Sequence, residues 1–263
     1  MSFSLIIIGD EILHGSRQDK HFDFFKQLLK ERGLLLDSVQ YLPDNRQILV
    51  HRLRQSFAEG LPTFVTGGIG STPDDHTRQA AAEALGLPLI LHPQAAANIE
   101  AVSLKHGDSL DSHGHQIRLR MAEFPQGSSL IPNPYNNIAG FSIREHYFLP
   151  GFPVMAQPMA AWALDEYYAH LQHQTERRSI SAWIDLPESR ISALMASIEQ
   201  RYPGIRSFSL PATPTAKQRY RLLFGLKAEG EACARLNQAW QEAEARLKEL
   251  GATQIEPAAE DEA

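Results

Sequence analysis

The stretch Thr66-Gly67-Gly68-Ile69-Gly70-Ser71-Thr72-Pro73-Asp74-Asp75-His76-Thr77 separates two runs of different character. Residues 61–65 are apolar and predict a buried strand, whereas residues 78–85 are alanine-rich and predict a helix. Glycines at such a junction let backbone N–H groups approach an anion, and the helix N-terminus adds a partial positive charge. A tight turn with an aspartate N-cap is the alternative. We interpret the stretch as a phosphate-binding loop, because several features coincide in it.

Two adjacent aspartates follow these glycines. Asp74 and Asp75 bring carboxylates to what is otherwise an anion site. A divalent cation between carboxylate and phosphate would make the two compatible. The sequence therefore predicts Asp74 and Asp75 as metal ligands.

The bulk composition excludes several classes of protein. The chain has 263 residues, 43% of them hydrophobic, with a formal net charge of −6, which argues against a broad nucleic-acid surface. Its single cysteine, Cys233, excludes an internal disulfide and fits a reducing compartment. No apolar run is long enough to span a bilayer, and the N-terminus lacks a basic leader region. We expect a cytoplasmic protein without nucleic-acid or membrane partners.

Strands and helices alternate along the first part of the chain. Residues 3–8, 34–42 and 61–65 predict strands, and each is followed by a helical pattern. Ligands bind at the carboxyl ends of the strands in such sheets. Gly9, Asp10, Glu11 and Asp44 follow strand ends, as does the glycine loop, so we expect all of them at one edge.

Three segments are predicted along the chain. Residues 1–171 form an α/β domain, residues 172–255 form a small α+β domain of order β-α-β-β-α, and residues 256–263 form a disordered acidic tail. Within the second domain, residues 220–226 predict the last strand and residues 229–250 the last helix. The polar residues 106–115 include three histidines, which could bind metal, but we favour a mobile loop because no regular spacing fixes the ligands.

Four ordered motifs resemble a known family. Gly9-Asp10-Glu11-Ile12-Leu13-His14-Gly15, residues 66–77, residues 133–140 and Leu149-Pro150-Gly151-Phe152-Pro153 resemble motifs of the molybdopterin-binding (MoaB/Mog-like) domain. The closest resemblance is to the branch found in competence/damage-inducible protein A (CinA). It covers roughly the first two-thirds of the chain, the size of one domain.

The resemblance implies a three-layer α/β/α fold with a pocket for a pterin phosphate, such as molybdopterin, or an adenine nucleotide. It also implies a divalent metal (Mg²⁺, Mn²⁺ or Co²⁺) and a homo-oligomer. We predict Asp44, Asp75 and Asp10 as catalytic residues, although Asp10 and Asp44 could be only N-caps. The predicted ligand-binding residues are Gly9, Glu11, Thr66, Gly67, Gly68, Gly70, Thr72, Thr77, Pro150 and Gly151.

The chain departs from the family at two positions. Val154-Met155-Ala156 stands where this branch usually has a glutamate, and Ser71 replaces a proline. The residues after Gln172 do not resemble the family's C-terminal amidase domain, so we transfer no deamidase activity. The leading hypothesis is a metal-dependent pyrophosphatase for ADP-ribose-like nucleotides. The alternatives are a binding protein without turnover and a molybdopterin adenylyltransferase.

Overall fold

The computed structural model describes residues 1–173, 176–212 and 221–258. The chain divides into two compact units, Met1–Gln172 and His173–Ala263. The strands of the first unit are β1 Ser2–Ile8, β2 Leu35–Leu42, β3 Thr63–Thr66, β4 Leu89–Leu91, β5 Glu123–Pro125, β6 Ser129–Ile131, β7 Gly140–Ile143 and β8 His146–Leu149. Its helices are α1 Asp10–Leu13, α2 His21–Glu31, α3 Arg46–Glu59, α4 Thr77–Leu85, α5 Pro93–Lys105, α6 His113–Leu119 and α7 Pro153–Tyr168.

The main sheet of the first unit has the strand order β2-β1-β3-β8-β7-β6. The pairs β2–β1, β1–β3 and β3–β8 are parallel, whereas β7 and β6 add an antiparallel edge. The expected α/β fold with a mostly parallel sheet is therefore confirmed. Strands β4 and β5 pair with each other in a separate two-stranded sheet.

Alternation along β1 creates two cores. Phe3, Leu5 and Ile7 pack on one side with residues of α2 and α7, and Ile6 and Ile8 pack on the other with residues of α3, α4 and α5. A strand that is covered on both faces needs a continuous apolar run, which explains the three consecutive isoleucines. The helices thus form two layers that enclose the sheet.

The polar segment 106–115 is not entirely a loop, so this expectation is wrong for its second half. Helix α6 begins at His113, and the Ser112 hydroxyl accepts a hydrogen bond from the His115 backbone N–H at 3.1 Å. The buried His115 ring places Nδ1 2.9 Å from Ser103 Oγ on α5. A serine N-cap and this tertiary contact organise the segment.

The second unit consists of β9 Arg177–Ile184, α8 Glu188–Arg201, β10 Ile205–Pro211, β11 Leu222–Glu229, α9 Leu236–Glu249 and β12 Ile255–Pro257. Among its described residues, an antiparallel sheet of order β10-β11-β9-β12 forms a split β-α-β arrangement. Cys233, 2% exposed, lies in the core of this unit.

The second unit corrects two expectations. Glu256 and Pro257 pair with Trp183 and Ala182, so they belong to the sheet and not to a disordered tail. The rest of the predicted tail, residues 259–263, lies outside the described residues, as does Tyr220 at the start of a predicted strand. The predicted helix from Glu229 begins later, at Leu236, after a 3-10 turn. Within the described residues, no helix is both long and apolar enough to cross a membrane.

Candidate functional site

The ends of β1, β2, β3 and β8 surround one cavity of about 430 Å³. Most of the predicted site residues line it. They are Gly9, Glu11, Asp44, Gly67, Gly68, Gly70, Thr72, Asp74, Asp75, Pro150 and Gly151. The other three predicted residues, Asp10, Thr66 and Thr77, lie beside the cavity without lining it. The architecture therefore gathers residues from four separate strand ends, as expected for a parallel sheet.

The glycine loop after β3 is packed too closely to hold larger residues. Gly67 and Gly68 have φ angles of +101° and +66°, which side chains rarely adopt. A Cβ on Gly67 would lie 2.2 Å from the carbonyl oxygen of Ile8, and one on Gly70 would lie 2.6 Å from Asp75 Oδ2. Gly151 faces the loop from β8, where a Cβ would lie 3.3 Å from Gly67 Cα. Residues 67–70 line the cavity, and the N–H of the buried Gly67 already donates to the Leu149 carbonyl at 3.0 Å.

Of the two buried threonines, Thr77 supports the loop from behind. The Thr77 N–H donates to the Gly68 carbonyl at 3.0 Å, and its hydroxyl donates to the Gly67 carbonyl at 3.0 Å. Thr66 is fully buried, and its hydroxyl has no hydrogen-bond partner among the described residues. The structure therefore gives Thr77 a role in the shape of the loop.

Asp75 fixes the second half of the loop through hydrogen bonds to Thr72. Its Oδ2 accepts hydrogen bonds from the Thr72 N–H at 2.8 Å and from the Thr72 hydroxyl at 2.5 Å. The Asp75 N–H donates to the Thr72 carbonyl at 3.0 Å. Asp74 is exposed at the cavity, and a hydrogen bond with the Thr72 side chain lowers the pKa of its carboxyl. The two neighbouring aspartates therefore have different surroundings.

Asp10 and Asp44 hold the ends of β1 and β2 together. The Asp10 N–H donates to Asp44 Oδ2 at 2.9 Å, and the Asp44 N–H donates to Asp10 Oδ1 at 3.3 Å. Burial raises the pKa of Asp44 above its ordinary value, and the Asp10, Glu11 and Asp74 carboxylates raise it further, against the hydrogen bond from the Asp10 N–H. Negative charge therefore converges on this side of the cavity.

Arg78 is a support of the loop that the sequence analysis did not find. This arginine follows Thr77 in α4 and is only 2% exposed. Its Nη2 donates to the Gly70 carbonyl at 2.7 Å, and its Nη1 donates to the carbonyl of Arg120, which lies in a 3-10 turn. Burial lowers the pKa of its guanidinium. Two backbone carbonyls far apart in sequence are thus joined by one buried cation.

The cavity also has lining residues from outside the predicted set. They are Ile8, Arg17, Ile69, Ser71, Met121, Asn133, Asn136, Ile138, Ala139, Phe152 and Met155. Asn133 could have been predicted from the sequence, since it begins one of the motifs that resemble the family. Its Nδ2 donates to the Ile138 carbonyl at 3.0 Å and its Oδ1 accepts from the Tyr135 N–H at 3.0 Å. Met155 lines the cavity where the resemblance leads one to expect a glutamate, and its Sδ lies 3.4 Å from Asn136 Nδ2.

The donor atoms of the cavity suit a hard cation only in part. Among the described residues, no group of three or more histidines, cysteines, aspartates and glutamates is arranged to hold a metal ion. Mg²⁺, however, is commonly held by one or two carboxylates together with substrate phosphates and water. Asp44 and Asp74 offer such oxygens. A cation among these groups would reduce the repulsion between Asp44 and the carboxylates of Asp10, Glu11 and Asp74, which raises the pKa of Asp44. These residues fit a cation that is bound jointly with a phosphate ligand.

The fold and this cavity define an α/β protein with a small-molecule site at the strand ends. The family described as "Probable molybdopterin binding domain" matches residues 4–170, and the chain belongs to it. The family expected from the sequence motifs is thereby confirmed.

Relatives in the CinA branch support this assignment. A CinA-like protein of Geobacter sp. (strain M21) is 33% identical over 163 residues, which is 60% of this chain and 38% of the relative. A CinA-like protein of Sulfurihydrogenibium sp. (strain YO3AOP1) is 31% identical over 171 residues, which is 63% of this chain and 42% of the relative. The chain thus spans less than half the length of these relatives. The crystal structure of the protein CinA from Thermoplasma acidophilum matches with a TM-score of 0.54 and 25% identity, over 63% of this chain and 96% of that one.

Proposed function

We propose that the first unit is a divalent-metal-dependent nucleotide pyrophosphatase whose substrate resembles ADP-ribose. The observation that carries this proposal is the meeting of two features in one cavity. The glycine loop brings the half-buried Gly68 and Gly70 to the cavity, where their backbone suits a phosphate, and the carboxylates of Glu11, Asp44 and Asp74 suit a cation. A diphosphate with its bound cation satisfies both.

The reaction needs binding, charge compensation and an attacking water. Backbone N–H groups of the glycine loop bind phosphate oxygens, and Asp75 keeps the loop in shape through its bonds to Thr72. Asp44 and Asp74 would hold the cation, with Asp75 as a further candidate. When bound, the cation offsets phosphate charge and lowers the pKa of water. Water then attacks one phosphorus, the bridging P–O bond breaks, and ADP-ribose gives AMP and ribose phosphate.

Glu11 lines the cavity and would act on the water or on a ligand hydroxyl, whereas Asp10 lies beside the cavity and would act through its neighbours. The Asp10 carboxylate is fixed by the Asp44 N–H, whereas Glu11 lines the cavity itself. A fixed acceptor beside the reacting phosphate orients water without the entropy cost of ordering it. We therefore assign Asp10 a positioning role and Glu11 a direct contact.

Met155 favours a second candidate function, a binding protein without turnover. A thioether lines the cavity where the resemblance leads one to expect a carboxylate. A thioether neither binds a hard cation nor moves a proton at neutral pH. In this case the pocket would keep its affinity for a nucleotide or molybdopterin and lose the chemistry.

Product formation distinguishes the candidates. Purified protein is incubated with ADP-ribose, FAD, NAD or ATP, in Mg²⁺, Mn²⁺, Co²⁺ or EDTA, and products are separated by chromatography. We expect metal-dependent cleavage of ADP-ribose and no cleavage in EDTA. Asp75→Asn keeps an oxygen for the Thr72 hydrogen bonds and removes the charge, so a rate lowered by about 100-fold would assign Asp75 to the cation, whereas an unchanged rate would leave it only its role in the loop.

A matched control is Asp37→Asn, which removes an exposed carboxylate on β2 and should leave the rate unchanged. Ligand binding without cleavage under every metal would reject the pyrophosphatase in favour of the binding protein. An adenylylated product from ATP plus molybdopterin, absent with ATP alone, would instead assign adenylyl transfer.

A further inference from the structure

The peptide group between Gly70 and Ser71 is held by its carbonyl. The Gly70 carbonyl oxygen accepts a hydrogen bond from Arg78 Nη2 at 2.7 Å. This peptide is trans, since no cis peptide bond occurs among the described residues. The C=O and the N–H of a trans peptide point in opposite directions. The Ser71 N–H therefore points away from Arg78.

Ser71 lies at the cavity of the candidate site. It is half-buried and lines the cavity, whereas Arg78 is 2% exposed and lies behind the loop. In the part of the chain that the structure describes, neither the N–H nor the hydroxyl of Ser71 has a hydrogen-bond partner. Native structures seldom leave such donors unused away from water. This N–H is therefore available to a ligand in the cavity.

Two earlier peptide groups of the loop have the same arrangement. The Thr77 hydroxyl holds the Gly67 carbonyl, and the Thr77 N–H holds the Gly68 carbonyl, each at 3.0 Å. The N–H groups that follow these carbonyls, those of Gly68 and Ile69, therefore point away from the start of α4. Successive N–H groups on one side of a turn form a concavity that binds anions. The Ser71 N–H extends this concavity.

Arg78 fixes the last of these peptide groups against a second wall of the cavity. Its Nη1 donates to the carbonyl of Arg120, in the 3-10 turn that contains Met121, and Met121 lines the cavity. The donors of a guanidinium are held in one rigid plane. The position of the Gly70 carbonyl is therefore fixed relative to that turn, and a donor fixed before binding has a lower ordering cost.

The Ser71 N–H is a departure from the family pattern. Ser71 stands where the resemblance leads one to expect a proline. Proline has no backbone N–H. The serine therefore gives this chain a donor that the expected residue would lack.

We propose that the Ser71 N–H donates a hydrogen bond to a phosphate oxygen of the ligand, and that Arg78 is the positioning residue that turns this N–H towards the cavity. The proposal rests on the proposed function and adds a binding residue to it. Arg78 acts through the Gly70 carbonyl and does not touch the ligand. A hydrogen bond to a charged phosphate oxygen is stronger than one between neutral groups.

Binding of a non-hydrolysable analogue tests the role of Ser71. The full chain is titrated with α,β-methylene-ADP-ribose in Mg²⁺ by isothermal titration calorimetry, since this analogue cannot be cleaved at the bridging position. Ser71→Ala and Ser71→Pro both lack the hydroxyl, and only Ser71→Pro lacks the N–H. We expect Ser71→Pro to bind at least about tenfold more weakly than Ser71→Ala. Equal affinity of these two variants overturns the proposal and leaves the pyrophosphatase standing.

A double-mutant cycle tests the role of Arg78. Arg78→Met should weaken binding about tenfold when combined with Ser71→Ala, and less than about twofold when combined with Ser71→Pro, because no N–H is left to position. Equal losses in the two backgrounds would mean that Arg78 supports only the fold, and they overturn its positioning role. Arg78→Lys keeps the buried charge but not the planar fork of donors. It replaces Arg78→Met if that variant does not fold, and the same contrast is expected.

Arg32→Met is the matched control for loss of a largely buried arginine. The Arg32 side chain is 18% exposed and pairs with Asp165 at 3.1 Å, just after the end of α2. This variant should keep the wild-type affinity. A wild-type protein that does not bind the analogue overturns the proposed nucleotide function, and this proposal with it. Binding of the analogue without cleavage of ADP-ribose rejects the pyrophosphatase alone, because the contrast between the two Ser71 variants still decides whether the N–H is a donor.

Discussion

Gly68 carries two constraints in one residue. Its φ of +66° is unfavourable for a side chain, and a Cβ would lie 2.2 Å from Thr77 Oγ1. Gly68→Ala must therefore strain the loop and displace the hydroxyl that binds the Gly67 carbonyl. We expect a loss of about 1–3 kcal/mol in the free energy of unfolding. Ligand affinity should fall at least about tenfold, because the displaced glycine loop no longer holds its backbone N–H groups at hydrogen-bond distance from the phosphate. Urea unfolding and calorimetric titration measure the two effects.

Gly107→Ala is the matched control for this variant. Gly107 has a φ of +79°, and a Cβ there would meet nothing within 4 Å. The control thus adds backbone strain without a clash and far from the glycine loop in sequence. If both variants bind ligand like the wild type, the loop does not bind the phosphate.

Single residues of the site were predictable to different degrees. Asp44 and the glycines follow strand ends, a property that local sequence reveals. The role of Arg78 does not appear in its neighbours, because its partners, Gly70 and Arg120, lie 8 and 42 positions away. An arginine in a helical pattern is usually exposed, so only the tertiary fold shows that this one is buried. Arg17 lies in a short segment without periodicity and was missed for the same reason.

His146 joins three elements of the first unit at the start of β8. Its Nε2 lies 2.8 Å from Ser56 Oγ on α3, and its Nδ1 lies 2.9 Å from the Arg144 carbonyl oxygen. Ser56 Oγ is also 3.3 Å from Thr63 Oγ1 on β3. A neutral ring that donates from Nδ1 and accepts at Nε2 satisfies these contacts. Burial lowers the pKa of His146 to about 4.

This pKa predicts a loss of stability in acid. An unfolded histidine titrates near pH 6.5, so between about pH 6.5 and 4 the unfolded state binds more protons than the folded state. The stabilisation is complete above the unfolded pKa and falls as the pH decreases towards the folded pKa. We expect His146 to account for roughly 3 kcal/mol of the decrease in unfolding free energy from pH 7 to pH 4. Urea unfolding across this range measures it.

His146→Gln should be less stable than the wild type at pH 7 and should show a flatter dependence on pH. His113→Gln, which replaces an exposed histidine, should keep the wild-type slope. Parallel pH profiles for the wild type and His146→Gln would mean that His146 is not the responsible group.

Elements with a strong local pattern were predicted well. The apolar run of β1 and the stripe and glycine stop of α2 need no tertiary information. Three other features depend on tertiary contacts: the pairing of β4 with β5, the N-cap of α6 and the short strand β12. Strand β12 has three residues and ends in proline, so its strand character comes from pairing with β9. Local propensity is a weak guide for such segments.

Each hydrophobic core of the molecule lies within one unit. Two cores consist of residues from Met1–Gln172, and the third consists of residues from the second unit. All residues that line the cavity of the candidate site also belong to Met1–Gln172. We therefore expect a chain that ends at Gln172 to fold and to bind ligand within about threefold of the full chain, as an independent domain would. Circular dichroism and calorimetry test this expectation, which fails if the shortened chain is unfolded or does not bind.

The sequence pattern changes near residue 172, and the structure divides the chain into Met1–Gln172 and His173–Ala263. The homo-oligomer implied by the family resemblance stays a prediction, for which sedimentation of the full chain is the direct measurement. The matches to these two relatives cover 60% and 63% of this chain and less than half of each relative, so the second unit needs its own assay.

The buried cysteine provides a probe for the opening of the second unit. Cys233 is the only thiol in the chain, and its Sγ lies 3.3 Å from the Ala228 carbonyl oxygen inside the core. An alkylating reagent can reach it only when this core opens, so the rate of alkylation reports the opening equilibrium of one unit inside the intact protein. Nucleotide that binds to the first unit should leave this rate unchanged if the two units open independently, and any slowing would measure the free energy that couples them.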